Sequence, residues 1–88
     1  MRGRILVVDD AEVNRELLRA ILEDDYIVDT AGDGEEALCM LQEHREETAA
    51  LLLDLQMPKK DGVEVIEESR KNGWLQKLPV LIISSENA

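Results

Sequence analysis

Two adjacent acids, Asp9 and Asp10, follow the apolar run Ile5-Leu6-Val7-Val8, and a third acid, Asp54, interrupts the most apolar window of the chain, Ala49 to Leu55. A further apolar run opens at Val80 and ends on the hydroxyl of Ser84. Carboxylates brought together at one place repel each other unless a divalent cation with a preference for oxygen ligands compensates their charge, and magnesium is the obvious candidate. Because this ion keeps several waters and takes only one or two protein carboxylates beside phosphate oxygens, such a cluster suits phosphoryl chemistry better than a permanent structural ion. A carboxylate can itself be the nucleophile, forming an aspartyl phosphate. Each residue also has a plainer reading. An Asp pair after a strand is commonly a solvated helix cap, Asp54 could be a strand-end turn residue, Ser84 could merely end a strand, Ser85 could cap the next segment, and Glu86 could be a surface acid. The plain readings account worst for Asp54, an acid ending so apolar a run and followed by Met57-Pro58 and Asp61-Gly62.

The elements that must position these groups are legible from periodicity. Ile5 to Val8 is short, continuous and β-branched, the pattern of a strand buried on both faces in a parallel sheet. From Ala11 to Leu22, Val13, Leu17, Leu18, Ile21 and Leu22 recur at helical spacing, with Asp10 available to cap the start. A second strand, Ile27 to Ala31, stops at the Gly32-Asp33-Gly34 turn, after which Glu35 to about His44 resumes helical periodicity. Ala49 to Leu55 reads as a buried third strand. Asp61 and Gly62 open a helix that closes near Asn72-Gly73, and Pro79 sets up a last strand, Val80 to Ser84. The order β-α-β-α-β-α-β implies an α/β fold, a parallel sheet with helices on both faces. In such sheets ligands bind beyond the carboxyl ends of the strands where the strand order reverses, and Asp9, Asp10, Asp54 and Ser84 all fall at strand ends of that kind.

Composition narrows the function classes. Eighty-eight residues with 44% hydrophobic and 2% aromatic content allow one domain with an aliphatic core. A formal charge of −10 argues against a nucleic-acid partner, which needs Lys and Arg gathered on one face. The lone Cys39 forms no internal disulfide, and neither a targeting run nor a membrane span is present, so a cytoplasmic setting without membrane contact is expected. Cys39 reads as a small helix residue near the core, and His44 as an exposed residue favourable to the helix dipole. Glu43 to Glu47 and Glu64 to Glu68 read as solvated helix faces, and Tyr26 and Trp74 as residues packing at element ends.

Four segments together resemble response-regulator receiver domains: Ile5-Leu6-Val7-Val8-Asp9-Asp10, Ala31-Gly32-Asp33-Gly34-Glu35-Glu36-Ala37-Leu38, Leu53-Asp54-Leu55-Gln56-Met57-Pro58-Lys59-Lys60-Asp61-Gly62, and Leu78-Pro79-Val80-Leu81-Ile82-Ile83-Ser84-Ser85. The resemblance implies a CheY-like (flavodoxin-like) fold and a phosphoacceptor module of a two-component phosphorelay. It implies that Asp54 accepts the phosphoryl group and that Asp10 and Asp54 ligate Mg2+ directly with the Gln56 backbone carbonyl. Asp9 would act largely through water, and Ser84 would contact the phosphoryl group. Donors would be a histidine kinase, a phosphotransfer protein or a small phosphodonor, with the domain assisting its own phosphorylation and dephosphorylation. The family's further helix, fifth strand and fifth helix fall beyond Ala88, with its phosphoryl-contacting lysine and fifth-strand aromatic. Lys59, Lys60 and Lys77 do not match that lysine's place. A partial receiver domain over residues 1–88, incomplete in its sheet, is therefore expected.

The main alternative is a fragment that keeps the fold without switching and serves as a structural or dimerisation module. An aspartate-nucleophile phosphohydrolase fits less well, since its two acids stand two residues apart whereas Asp9 and Asp10 are adjacent. Flavin or dinucleotide binding is weaker again, because no Gly-rich turn follows the first strand. The family strand order puts Val80 to Ser84 at a sheet edge here and leaves aliphatic surface beside Val13 to Leu22, so a homodimer burying that edge or face is expected.

Overall fold

Strands rich in branched aliphatic residues alternate with helices in the order β1 (Gly3–Val8), α1 (Glu12–Leu22), β2 (Tyr26–Ala31), α2 (Gly34–His44), β3 (Thr48–Asp54), α3 (Gly62–Lys71) and β4 (Val80–Ile83). The structure, a computed structural model, describes residues 3–44, 46–54, 62–74, 76 and 78–83. The four strands form one parallel sheet in the order β2-β1-β3-β4. This is the order of elements read from the sequence, with starts that differ by at most two residues; Leu55 and Ser84, the expected ends of the third and fourth strands, lie outside the described residues. β1 starts at Gly3 because its polar end is paired: Gly3 stands opposite Tyr26, and Arg4 Nη1 donates to both oxygens of Asp29 on β2 at 2.9 and 2.7 Å. β3 starts at Thr48, whose buried hydroxyl donates to the carbonyl of His44 at 2.8 Å and so joins strand to helix end.

Alternation along the central strands divides the core in two. Leu6 and Val8 of β1 and Leu51 and Leu53 of β3 face α2 and α3, packing with Ala37, Leu41, Val65 and Leu78. Ile5, Val7 and Leu52 face the other way and meet Leu18 and Leu22 of α1. Period-two strands buried on both sides need both layers of helices, which is why these windows read as continuous apolar runs. Cys39, expected near the core, is exposed, because Ala37 and Leu41 take the inward positions of α2.

α1 uses only part of its apolar surface. Leu18 and Leu22 pack on the sheet, whereas Val13, Leu17 and Ile21 are 77%, 58% and 62% exposed. Val13, Leu17 and Ile21 follow at four-residue spacing and so form one stripe of the helix, turned to solvent, while Arg15 on the far side of the stripe reaches Gly32 at the end of β2. Leu81 of β4 pairs with Leu52 in register and is 57% exposed, and among the described residues β4 is paired on one side alone.

Helix ends follow local chemistry. Asp33 accepts the Glu36 backbone N–H at 2.9 Å, and the Glu36 carboxylate accepts the Gly32 N–H at 2.6 Å, a reciprocal cap at the start of α2. Gly34, read as part of the turn, is the first helical residue. At the end of α3, Gly73 takes φ +74. Its N–H donates to Arg70 O at 3.0 Å, and Trp74 N–H donates to Ser69 O at 2.8 Å. That pattern terminates a helix with a left-handed glycine and folds Trp74 back against the core.

The core assignment gives a prediction on a single helix. Leu41→Ala, at a fully buried site, is expected to lower unfolding free energy by about 2–5 kcal/mol in urea titrations. Cys39→Ser, two residues away and exposed, is expected to stay within about 0.5 kcal/mol of the parent.

Candidate functional site

The sheet order reverses between β1 and β3: β2 lies on one side of β1, while β3 and then β4 lie on the other. Val8 pairs with Leu53, so Asp9 and Asp54, one step further along each strand, are neighbours across the carboxyl edge. Asp10 follows in the loop to α1. One carboxylate oxygen from each of Asp9, Asp10 and Asp54 can be chosen so that all three lie within 4.8 Å of one another. Asp9 and Asp54 are 3% and 1% exposed, and Asp10 is exposed.

Charges at that separation repel each other by on the order of 3 kcal/mol per pair, taking an effective dielectric constant of about 20. The apolar layers that bury Asp9 and Asp54 strengthen the effect by keeping solvent away. A bare cluster of this kind is costly, and an oxygen-preferring divalent cation is the chemical species that offsets it. The donor set fits such an ion: carboxylates alone, with no imidazole or thiolate among them, and one of the acids open to solvent.

Asp9 is further engaged by the start of α1. Its Oδ1 accepts the Ala11 N–H at 2.9 Å, its Oδ2 accepts Asn14 Nδ2 at 3.2 Å, and its backbone carbonyl accepts Arg15 Nη1 at 2.7 Å. The expectation that Asp10 caps α1 is therefore corrected. Ala11 occupies the cap position without a side-chain cap bond, and it is the buried Asp9 carboxylate that receives the loop N–H. With Asp9 turned inward from the end of β1, Asp10 is left facing solvent.

The structure thus brings Asp9, Asp10 and Asp54 together. Gln56, with its backbone carbonyl, and Ser84, Ser85 and Glu86 lie outside the described residues, as do the Met57-Pro58 turn and Asp61. Sequence reasoning overlooked Asn14, Arg15 and the Asp33–Glu36 cap. The cap was detectable, since an acid followed three residues later by Glu before an apolar run is its signature. Asn14 and Arg15 carried no such signal, because their role depends on where Asp9 points.

Comparison with known proteins agrees with this geometry. The family model described as the response regulator receiver domain matches residues 5–88. The response regulator MprA of Mycobacterium tuberculosis (strain H37Rv) is 43% identical over 89 aligned positions, covering the whole of this chain and 37% of that protein. The chain thus spans little more than a third of the length of the curated relatives it matches. Among solved structures, the chemotaxis protein CheY4 of Vibrio cholerae superposes with a TM-score of 0.88 at 30% identity, over all of this chain and 72% of that one. The response regulator TrrA of Thermotoga maritima, solved in complex with Mg2+-BeF, gives 0.82 at 38% identity, over 97% and 71%. A family match that starts in the first buried strand and runs to the last residue, with relatives sharing this fold at 30% identity and above, makes the chain a member of the response regulator receiver domain family.

Proposed function

We propose that the chain, over residues 1–88 the front portion of a receiver domain, accepts a phosphoryl group on Asp54 with Mg2+ held by Asp9, Asp10 and Asp54. The observation that carries this reading is the convergence of two buried carboxylates and one exposed one at the switch point of a parallel sheet. Receiver domains are signalling domains of two-component systems, not classical enzymes, and they interact with histidine kinases or phosphotransfer partners. They bind Mg2+ at an acidic pocket, and one solved relative carries Mg2+ and BeF. Bound there, the ion would neutralise the acids and stabilise the charge that develops on the transferring phosphoryl oxygens.

In the step proposed, a carboxylate oxygen of Asp54 attacks phosphorus. The phosphorus–nitrogen bond to a donor histidine, or the phosphorus–oxygen bond to a small phosphodonor such as acetyl phosphate, breaks, and its electron pair leaves with the donor. Burial of Asp54 limits access of bulk water to the acyl phosphate formed. Asp10, exposed, would complete the ion's ligands with the Gln56 backbone carbonyl, Asp9 would act largely through water, and Ser84 would donate its hydroxyl to the phosphoryl oxygens. Hydrolysis reverses the modification when a water attacks the same phosphorus, a reaction the site assists as it assists uptake. The setting proposed is cytoplasmic. No helix among the described residues is long and apolar enough to cross a membrane.

The proposal extends to a homodimer. The stripe Val13, Leu17 and Ile21, the exposed Leu81 and Ile82, and the edge position of β4 favour burial against a second copy.

Intact-mass measurement after treatment with acetyl phosphate and Mg2+ tests the acceptor: the parent chain is expected to gain one phosphoryl group and Asp54→Asn none, so uptake by Asp54→Asn would remove Asp54 from the role. Ser84→Ala is expected to slow uptake while leaving Mg2+ affinity nearly unchanged. Calorimetric titration is expected to show Mg2+ affinity lowered roughly tenfold or more in Asp10→Asn. For the dimer, sedimentation across a dilution series is expected to show a two-fold assembly that Leu81→Lys dissociates. A monomer at every concentration would refute it.

A further inference from the structure

Asp9 is held from every side by this chain, in contrast to its neighbour. Its N–H donates to Ala31 O at 3.1 Å, its carbonyl accepts Arg15 Nη1 at 2.7 Å, and its two carboxylate oxygens accept Ala11 N–H at 2.9 Å and Asn14 Nδ2 at 3.2 Å. No hydrogen bond joins the exposed Asp10 to another described residue. The donors to the Asp9 carbonyl and carboxylate belong to the cap and first turns of α1, so the helix start is organised around one acid.

The residue type at position 14 is informative. It stands third in the helix, where an acid is favoured both by the helix dipole and by the reciprocal cap that Glu36 makes in α2. An acid there would add a fourth carboxylate to the cluster, and a Lys or Arg would bring a positive charge that competes with a cation. An amide donates a hydrogen bond to Asp9 without altering the charge of the site. Arg15, which is charged, is directed to the backbone carbonyl instead. Its Nη1 would lie 3.3 Å from a Cβ at Gly32, so the absent side chain of Gly32 gives the guanidinium its space.

We propose that Asn14 and Arg15 are positioning residues for the acidic cluster, Asn14 fixing the plane of the Asp9 carboxylate with a neutral donor and Arg15 fixing its main chain. This inference rests on reading the cluster as a divalent-cation site. A carboxylate offers about four acceptor positions, and the bonds from Ala11 and Asn14 use two, leaving Asp9 able to receive waters or an ion from a fixed direction. Mg2+ demands near-octahedral geometry, whereas Ca2+ tolerates irregular and larger shells. Fixing Asp9 therefore favours the smaller ion, and freeing it erodes the discrimination.

The test is calorimetric titration of Mg2+ and of Ca2+ into the parent chain, Asn14→Leu, Asn14→Gln and Arg15→Ala, with thermal midpoints measured without divalent ions. Asn14→Ala, which removes the donor without adding charge or bulk, keeps the test open should the leucine variant fail to fold. Asn14→Leu is expected to lower Mg2+ affinity by about tenfold and Ca2+ affinity by less, with the metal-free midpoint nearly unchanged. The Mg2+ to Ca2+ affinity ratio is expected to fall likewise in Asn14→Ala and Arg15→Ala, and to be held near the parent value in Asn14→Gln. A merely structural role would move the midpoint and leave the ratio alone. The parent ratio retained in Asn14→Leu or Asn14→Ala overturns the role of Asn14, and retained in Arg15→Ala it overturns that of Arg15. A parent chain that binds no Mg2+ overturns the reading of the cluster itself, and this inference with it.

Discussion

Asp9 and Asp54 sit in a place that solvates them poorly, at the carboxyl ends of the two central strands, with their charges a few ångströms apart. A parallel sheet whose order reverses between β1 and β3 creates that adjacency, since α1 and α3, the helices that follow the two strands, pack on opposite faces of the sheet. The apolar windows that precede each acid are needed for the same reason. Only strands buried on both faces hold a carboxylate so firmly against the repulsion of its neighbours, and the aliphatic clusters on either side of the sheet supply that hold.

The fold was legible because its signals are local and redundant. Ile5 to Val8 and Ala50 to Leu53 are continuous apolar runs, α1 and α2 carry helical spacing, and Gly73 marks a helix end whose left-handed conformation the structure contains. The three acids were legible for a related reason: each falls where an apolar run stops. Strand starts were harder to place, since the starts of β1 and β3 are secured by the Arg4–Asp29 ion pair and the Thr48 hydroxyl bond, whose partners lie on other elements.

What escaped the sequence is orientation. Nothing in the string Asp9-Asp10-Ala11 says which acid turns inward, and the plain expectation that the residue nearest the helix would cap it is reversed. Val13, Leu17 and Ile21 share the spacing of Leu18 and Leu22, so periodicity alone groups them as one apolar face. The structure splits that face between the sheet and solvent. Asn14 and Arg15 belong to the same class, side chains whose meaning depends on the direction of a neighbour. The related proteins extend this reading by fold and family, while the solved relatives are longer than the part matched here, as the 72% coverage of CheY4 states.

The grip on Asp9 has a mechanical side. Ala11, Asn14 and Arg15 are joined by one helix start, so the groups that fix the acid move as a body. The bearing of the Asp9 carboxylate is then set less by its own side-chain torsions than by the seat of α1 on β1 and β2. That seat is made by Leu18 and Leu22, one and two turns further along the same helix. A site that looks confined to three carboxylates is in this respect calibrated by aliphatic packing that never touches it.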